Sequence, residues 1–140
     1  MPNLSSFKSV AVATGALFAM LTAGQLVAPS TLAGSSGLDG SWGGRGKIVF
    51  PSGETERARC RAHFRSRGGN TYSMNAVCAT SSARVEQVAR IRRVGGNIYR
   101  GDFFNEEHGI AGSIRILLKG GRLIASLTGG GGSAEFLLKR

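Results

Sequence analysis

From Gly40 to the C-terminus, turn-forming clusters recur about every 10 to 14 residues, and this spacing constrains the fold more than any other feature. The clusters are Pro51-Ser52-Gly53, Gly68-Gly69-Asn70, Ser81-Ser82, Gly95-Gly96-Asn97, Glu107-His108-Gly109, Gly120-Gly121 and Gly129–Gly132. Seven turns delimit eight strand-length segments, the spacing of an antiparallel barrel or sandwich. The 22 glycines and only 3 prolines suit short strands joined by tight turns better than a helical bundle. The best helical candidate, Ala83–Arg93, fits a two-residue alternation equally well.

Within the segments the period is two. Between Thr55 and Arg67, the residues Ala58, Cys60, Ala62 and Phe64 point one way, while Arg57, Arg59, Arg61, His63, Arg65 and Arg67 point the other. Tyr72, Met74, Ala76 and Cys78 share a face in the next segment. Folding these two about Gly69 sets Phe64 against Met74, Ala62 against Ala76 and Cys60 against Cys78, and a one-residue slip would destroy every match. Opposed residues on antiparallel strands lie within disulfide range, so this register predicts a Cys60–Cys78 bridge. The same test about Gly120-Gly121 pairs Leu118 with Leu123, Ile116 with Ala125 and Ile114 with Leu127. Around Pro51–Thr55 it sets Trp42 opposite Phe64 and Ile48 opposite Ala58. The expectation is an all-β, up-and-down antiparallel meander of about eight strands with one disulfide. Closure into a barrel is favoured over a two-sheet sandwich because it removes the two bare edges.

The N-terminus has a different character. Met1–Lys8 is polar with one positive charge, Val10–Leu21 is apolar and small, and Thr31 and Ala33 supply the small side chains that a signal peptidase reads. Residues 1–33 are therefore expected to be a removable signal peptide cleaved before Gly34, with cleavage after Ala23 or Ala28, or a retained anchor, as alternatives. Residues 34–40 would form a flexible arm and 41–140 a single barrel-like domain. No cysteine follows the expected cleavage point, which argues against a lipoprotein anchor. Export to the periplasm or beyond the cell also favours an oxidised cysteine pair.

Gly40-Ser41-Trp42 heads the first strand, and the last strand closes on Lys139-Arg140. This pattern resembles the calycin-type barrels, the lipocalins and avidins, in which a Gly-x-Trp opens the barrel and a late basic side chain stacks over the tryptophan. The resemblance implies a cup-shaped interior. An avidin-like biotin set is absent from the sequence, and the turns are shorter than the open-end loops usual in lipocalins.

Function is read from what the faces offer. The net charge of +10 favours anionic partners. Arg57, Arg59, Arg61, Arg65 and Arg67, with Arg90, Arg92 and Arg115 continuing the outward surface, are candidate anion-binding residues for an anionic lipid or lipopolysaccharide surface. Nucleic acid is a poor fit, since this face lacks stacking aromatics of its own and export removes the chain from most of it. Trp42, Phe64, Tyr72 and Met74 are the candidate contacts for a small hydrophobic ligand inside the barrel. Small inward residues (Gly44, Gly46, Ala58, Ala62, Ala76, Gly112, Ala125) beside bulky ones favour a filled interior over a hollow one. His63 and His108 have no triad partners at a usable spacing, a bridged Cys60 is no nucleophile, and Glu106-Glu107-His108 is expected to be a solvated turn. No cofactor or metal is expected. The sequence thus points first to an exported, non-enzymatic protein that engages anionic surfaces. A carrier of a small hydrophobic ligand, or an inhibitor that inserts its N-terminal arm into an exported protease, are the alternatives.

Overall fold

The computed structural model describes residues 37–140, so the leader expected at 1–33 and residues 34–36 lie outside the described residues. Eight strands follow one another: β1 (Gly40–Val49), β2 (Thr55–Ser66), β3 (Thr71–Ala79), β4 (Arg84–Gly95), β5 (Ile98–Asn105), β6 (Ile110–Lys119), β7 (Arg122–Gly129) and β8 (Gly132–Lys139). Each pairs antiparallel with the next, and β8 returns to β1 to close the barrel. Closure leaves no unpaired edge, which resolves the choice between barrel and sandwich on the physical ground expected.

The alternation read from the sequence sets the inside. The helical candidate at Ala83–Arg93 is strand, with Ala89 and Ile91 buried and Arg90 and Arg92 exposed. The β2–β3 and β6–β7 registers match those expected, including Cys60 opposite Cys78 and Ile116 opposite Ala125. Cys60 and Cys78 are bridged, with Cα atoms 4.1 Å apart. At β6–β7 and β7–β8, Gly120-Gly121 and Gly130-Gly131 all have positive φ, which two-residue hairpin turns of this twist demand.

The β1–β2 register differs from expectation by two residues. Trp42 faces Ala62 and Ile48 faces Glu56, whereas Phe64 faces Gly40. The cause is the turn. Phe50 N–H donates to the Glu54 carbonyl and Gly53 N–H to the Phe50 carbonyl, both at 2.8 Å, so the chain reverses around Ser52. A slip of two keeps every side chain on its own face, which is why the apolar pattern alone could not choose between the two registers.

Four inward glycines bend the sheet. A Cβ on Gly44 would lie 2.0 Å from the Leu137 carbonyl oxygen, and one on Gly46 1.9 Å from that of Glu135. Gly101 and Gly112 meet the Arg90 and Thr128 carbonyls as closely, at 2.0 and 2.2 Å. These positions let adjacent strands coil tightly enough to close, the role glycine kinks play at barrel corners.

Candidate functional site

The meander gives the barrel two unlike ends. The β2–β3, β4–β5 and β6–β7 turns gather at the end that holds Trp42, and the other four turns form the opposite mouth. At the Trp42 end Leu38 is fully buried, and Trp42, Phe64, Met74, Ile91, Ile116 and Leu123 are each at most 4% exposed. The Trp42 indole N–H donates to the Leu38 carbonyl at 2.9 Å. The Arg140 guanidinium sits 4.5 Å from the Trp42 ring centroid and donates to the carbonyls of Gly37 and Asp39. Asp39 in turn accepts from the Ser66 N–H at 2.8 Å. Of the segment expected as a flexible arm, residues 37–39 are thus strapped across this end, and Gly40 already belongs to β1. Tyr72 and Tyr99 pack edge to face, with centroids 5.6 Å apart. Burial, and secondarily the neighbouring Tyr72, raise the Tyr99 pKa above the ordinary tyrosine value.

At the mouth the interior opens into a cavity of about 360 Å³. Phe103, Leu127, Phe136 and the Cys78 half of the disulfide form its inner wall, while Ile48, Val85, Ile110 and Ala134 lie nearer the rim. Phe103 and Phe136 have room because of glycines: a Cβ on Gly112 would sit 2.6 Å from the Phe103 ring, and one on Gly46 2.4 Å from that of Phe136. The interior is therefore packed inward of Trp42 and hollow at the mouth, which corrects the expectation of a filled interior throughout; at the Trp42 end an open cleft of about 380 Å³ lies among Gly37, Trp42, Tyr99, Leu118 and Arg140.

The polar side chains that line the cavity are those of Thr80, Ser82, Gln87, Asn105, His108 and Ser133. Gln87 is half-buried on β4, and its amide makes no hydrogen bond to another described residue. Asn105 is 2% exposed, and its Oδ1 accepts the His108 N–H at 2.9 Å, fixing the β5–β6 turn that brings His108 to the cavity. No Asp, Glu, Lys or Arg is among the described residues that line it. The rim, by contrast, is acidic. Glu54 closes the β1–β2 turn, Glu106 and Glu107 occupy the β5–β6 turn and Glu56 is the second residue of β2, against one cation, Arg84, at the start of β4. The Glu56 carboxylate accepts from the Ser82 hydroxyl at 2.7 and 2.8 Å, and side-chain hydrogen bonds from Thr80 and then Ser82 lower its pKa. Four of the chain's eight carboxylates thus stand around the mouth of a protein whose net charge is +10.

The residues singled out from sequence fall elsewhere. Trp42, Phe64 and Met74 are buried in the filled end, Tyr72 is half-buried beside them, and none of the four lines the cavity. Arg57, Arg59, Arg61 and Arg65 are exposed on the outside of β2, where Arg59 lies opposite Arg45 and Arg57 opposite Lys47. Arg67 donates to the Ser73 hydroxyl at 2.9 Å. Arg90 and Arg92 are exposed on β4, separated from β2 by Ser73 and Thr71 of β3. Among the described residues one ion pair lies within 4 Å, Arg84–Glu86 at 3.4 Å. A larger open bay brings four of these candidates together, Arg67, Tyr72, Met74 and Arg90, with Asp102 and Phe104; it mixes both charge signs, whereas the lining of the mouth cavity is mostly apolar. The cavity lining leaves a trace in the sequence: it combines the inward-phase positions nearest one set of alternate turns with residues of those turns.

The likeness to known structures is one of fold. A redesigned β-barrel, mFAP0, bound to DFHBI, matches with a TM-score of 0.64 at 15% identity, over 74% of this chain and 98% of that one. The related mFAP1, also bound to DFHBI, matches with 0.63 at 15% identity, over 74% and 94%. Fatty-acid-binding protein 1 of Echinococcus granulosus matches with 0.44 at 10% identity, over 74% and 96%. No protein-family model matches the chain, and no curated protein matches it in sequence. The chain is a closed, up-and-down antiparallel barrel of eight strands, capped by Trp42 and Arg140 at one end and open at the other.

Proposed function

We propose that this chain is an exported, non-enzymatic carrier that takes a small, uncharged lipophile into the mouth half of its barrel. The observation that carries this reading is a mostly apolar cavity lined by no Asp, Glu, Lys or Arg in a protein of net charge +10. Its volume of about 360 Å³ falls in the range of pockets that enclose small ligands. Burying an unpaired ionised group there would be costly, and the rim carboxylates add repulsion for any anion. Gln87 supplies both an amide donor and a carbonyl acceptor, so one hydroxyl, amide or carbonyl on the ligand would be satisfied on β4. Export rests on the N-terminal leader pattern, and the disulfide is at home in an oxidising compartment. The hydrogen bonds that hold residues 37–39 against the barrel favour a carrier over a protease inhibitor that inserts its arm.

A displacement assay tests the reading. An environment-sensitive apolar fluorophore is bound to the protein and then competed with an alcohol, a primary amide and a carboxylate of equal chain length. The alcohol and amide are expected to displace it at least fivefold more effectively than the carboxylate. Displacement should survive high salt, and the competitor should be recovered unchanged by mass spectrometry. Gln87→Leu should narrow the margin between the polar competitors and a plain alkane. A carboxylate that competes best, or a fluorophore that does not bind, would overturn the proposal.

A further inference from the structure

Outside the barrel, one row of side chains breaks the polar-out rule. Ile98 on β5 lies opposite Leu117 on β6, Leu117 opposite Ile124 on β7, and Ile124 opposite Leu137 on β8. Four outward aliphatics therefore stand side by side across four strands, near the closed end. Val94, at the irregularity where the β4–β5 register shifts, extends the row. Ile124, Leu137 and Val94 are 39%, 43% and 55% exposed.

Cations flank this row on the mouth side along β4–β6, where β7 and β8 carry Ser126 and Glu135 instead, and on the closed-end side along β6–β8. One step toward the mouth, Arg92, Arg100 and Arg115 form a row of their own across β4, β5 and β6. One step toward the closed end, Lys119 lies opposite Arg122, and Arg122 opposite Lys139. The aliphatic row ends at β1, where Leu137 meets Arg45.

We propose that this face docks the barrel on an anionic lipid bilayer. The aliphatic side chains enter the interfacial region and the flanking arginines and lysines meet lipid phosphates. An apolar strip bordered by six cations and one carboxylate, Glu135, matches the layered chemistry of such a surface, apolar beneath and anionic above. A second copy of the chain fits poorly. A two-fold contact through this face would bring Arg100, Arg115, Lys119, Arg122 and Lys139 close to the same cations of the other copy. The composition also differs from a protein-binding surface, since the row has no Trp, Tyr, Phe or Met and its border includes lysines. Leu117 and Ile124 lie at the middle of the arc and seat deepest. The arginines of β2 adjoin this surface only across β1, where Arg45 stands between Leu137 and Arg59 and Gly43 between Lys139 and Arg61.

The test is co-sedimentation with phosphatidylglycerol/phosphatidylcholine vesicles and with pure phosphatidylcholine. It uses protein recovered after export, its N-terminus set by intact mass and shared by all variants. The wild type should bind the anionic vesicles selectively and lose them as salt rises. Leu117→Ser/Ile124→Ser should weaken binding about tenfold or more through the lost apolar burial. Arg122→Gln/Lys139→Gln should weaken it roughly twentyfold, about fivefold per cation. Arg57→Gln/Arg65→Gln, on β2 but off the level of Leu137 and Lys139, should stay within about twofold of wild type. Because Arg122 and Lys139 are exposed, that pair carries the test should the serine variant fail to fold. The proposal is overturned by wild type that ignores anionic vesicles at low salt, by row and border variants that bind as wild type does, or by an equal loss in the β2 pair. A concentration-dependent dimer abolished by the row variants would overturn it too.

Discussion

The two halves of this barrel arise from the same alternating pattern and end in opposite states. Near Trp42 the inward positions carry Trp, Phe, Met, Ile and Leu, and the terminal segments fold over them, so that Leu38 is fully buried. Near the mouth the inward positions carry Ile48, Val85, Gln87, Ile110 and Ala134, nothing described crosses the opening, and a cavity of about 360 Å³ remains. The pattern of polar and apolar residues sets which side faces in. What fills the inside depends on side-chain volume at each level and on which end the chain termini cover. One half is built for stability, and the other has room for a guest.

The comparison breaks most readily at Trp42. Trp42→Ala removes the largest side chain of the filled half together with its indole hydrogen bond and its arginine contact, and should cost about 3–5 kcal/mol in urea unfolding. Ile110→Ala at the rim should cost only about 1 kcal/mol, since part of that side chain already fronts open space. Equal losses at both positions would mean that the halves do not differ. Next in size is the Cys60–Cys78 bridge. It spans 18 residues, and reduction should remove about 3 kcal/mol and lower the melting temperature without abolishing the fold.

Smaller still is the strap. Arg140→Met keeps the length of the side chain but removes the charge over Trp42 and the donors to Gly37 and Asp39, at a cost of about 1–2 kcal/mol. Limited proteolysis should then cut near residues 37–39 faster in the variant, with cleavage at the mouth turns unchanged. The smallest effect is alkaline. Tyr99 has a raised pKa in the folded state, so its contribution is fully present below the ordinary tyrosine value and fades as pH climbs through the raised one. Tyr99→Phe should flatten the alkaline slope of stability and leave the neutral range nearly unchanged.

How far the sequence reaches follows the same division. The strand count, the turns, the β2–β3 and β6–β7 registers and the disulfide were legible because a period of two allows no one-residue slip when one face is buried. The β1–β2 register was not, because a two-residue slip preserves the faces and only the hydrogen bonds of the Phe50–Glu54 turn decide it. Trp42, Phe64 and Met74 drew attention as interior ligand contacts because they are large; size is also what packs them away from the cavity. The cavity itself is a deficit of volume at one level of eight strands, and no single segment displays it. The outward aliphatic row had a visible trace. Leu117-Leu118, Leu123-Ile124 and Phe136-Leu137-Leu138 all interrupt the alternation, and only the register shows that the interruptions stand at the same level.

The central claim is that the mouth half is the binding half, and one substitution tests it directly. Ala134 points into the cavity from β8, so Ala134→Trp would fill the space without disturbing the Trp42 end. Titration of an apolar fluorophore should show saturable binding to the wild type and its loss in Ala134→Trp, with a melting temperature equal to or above that of the wild type. Undiminished binding in a folded Ala134→Trp protein would place the ligand elsewhere and contradict the account.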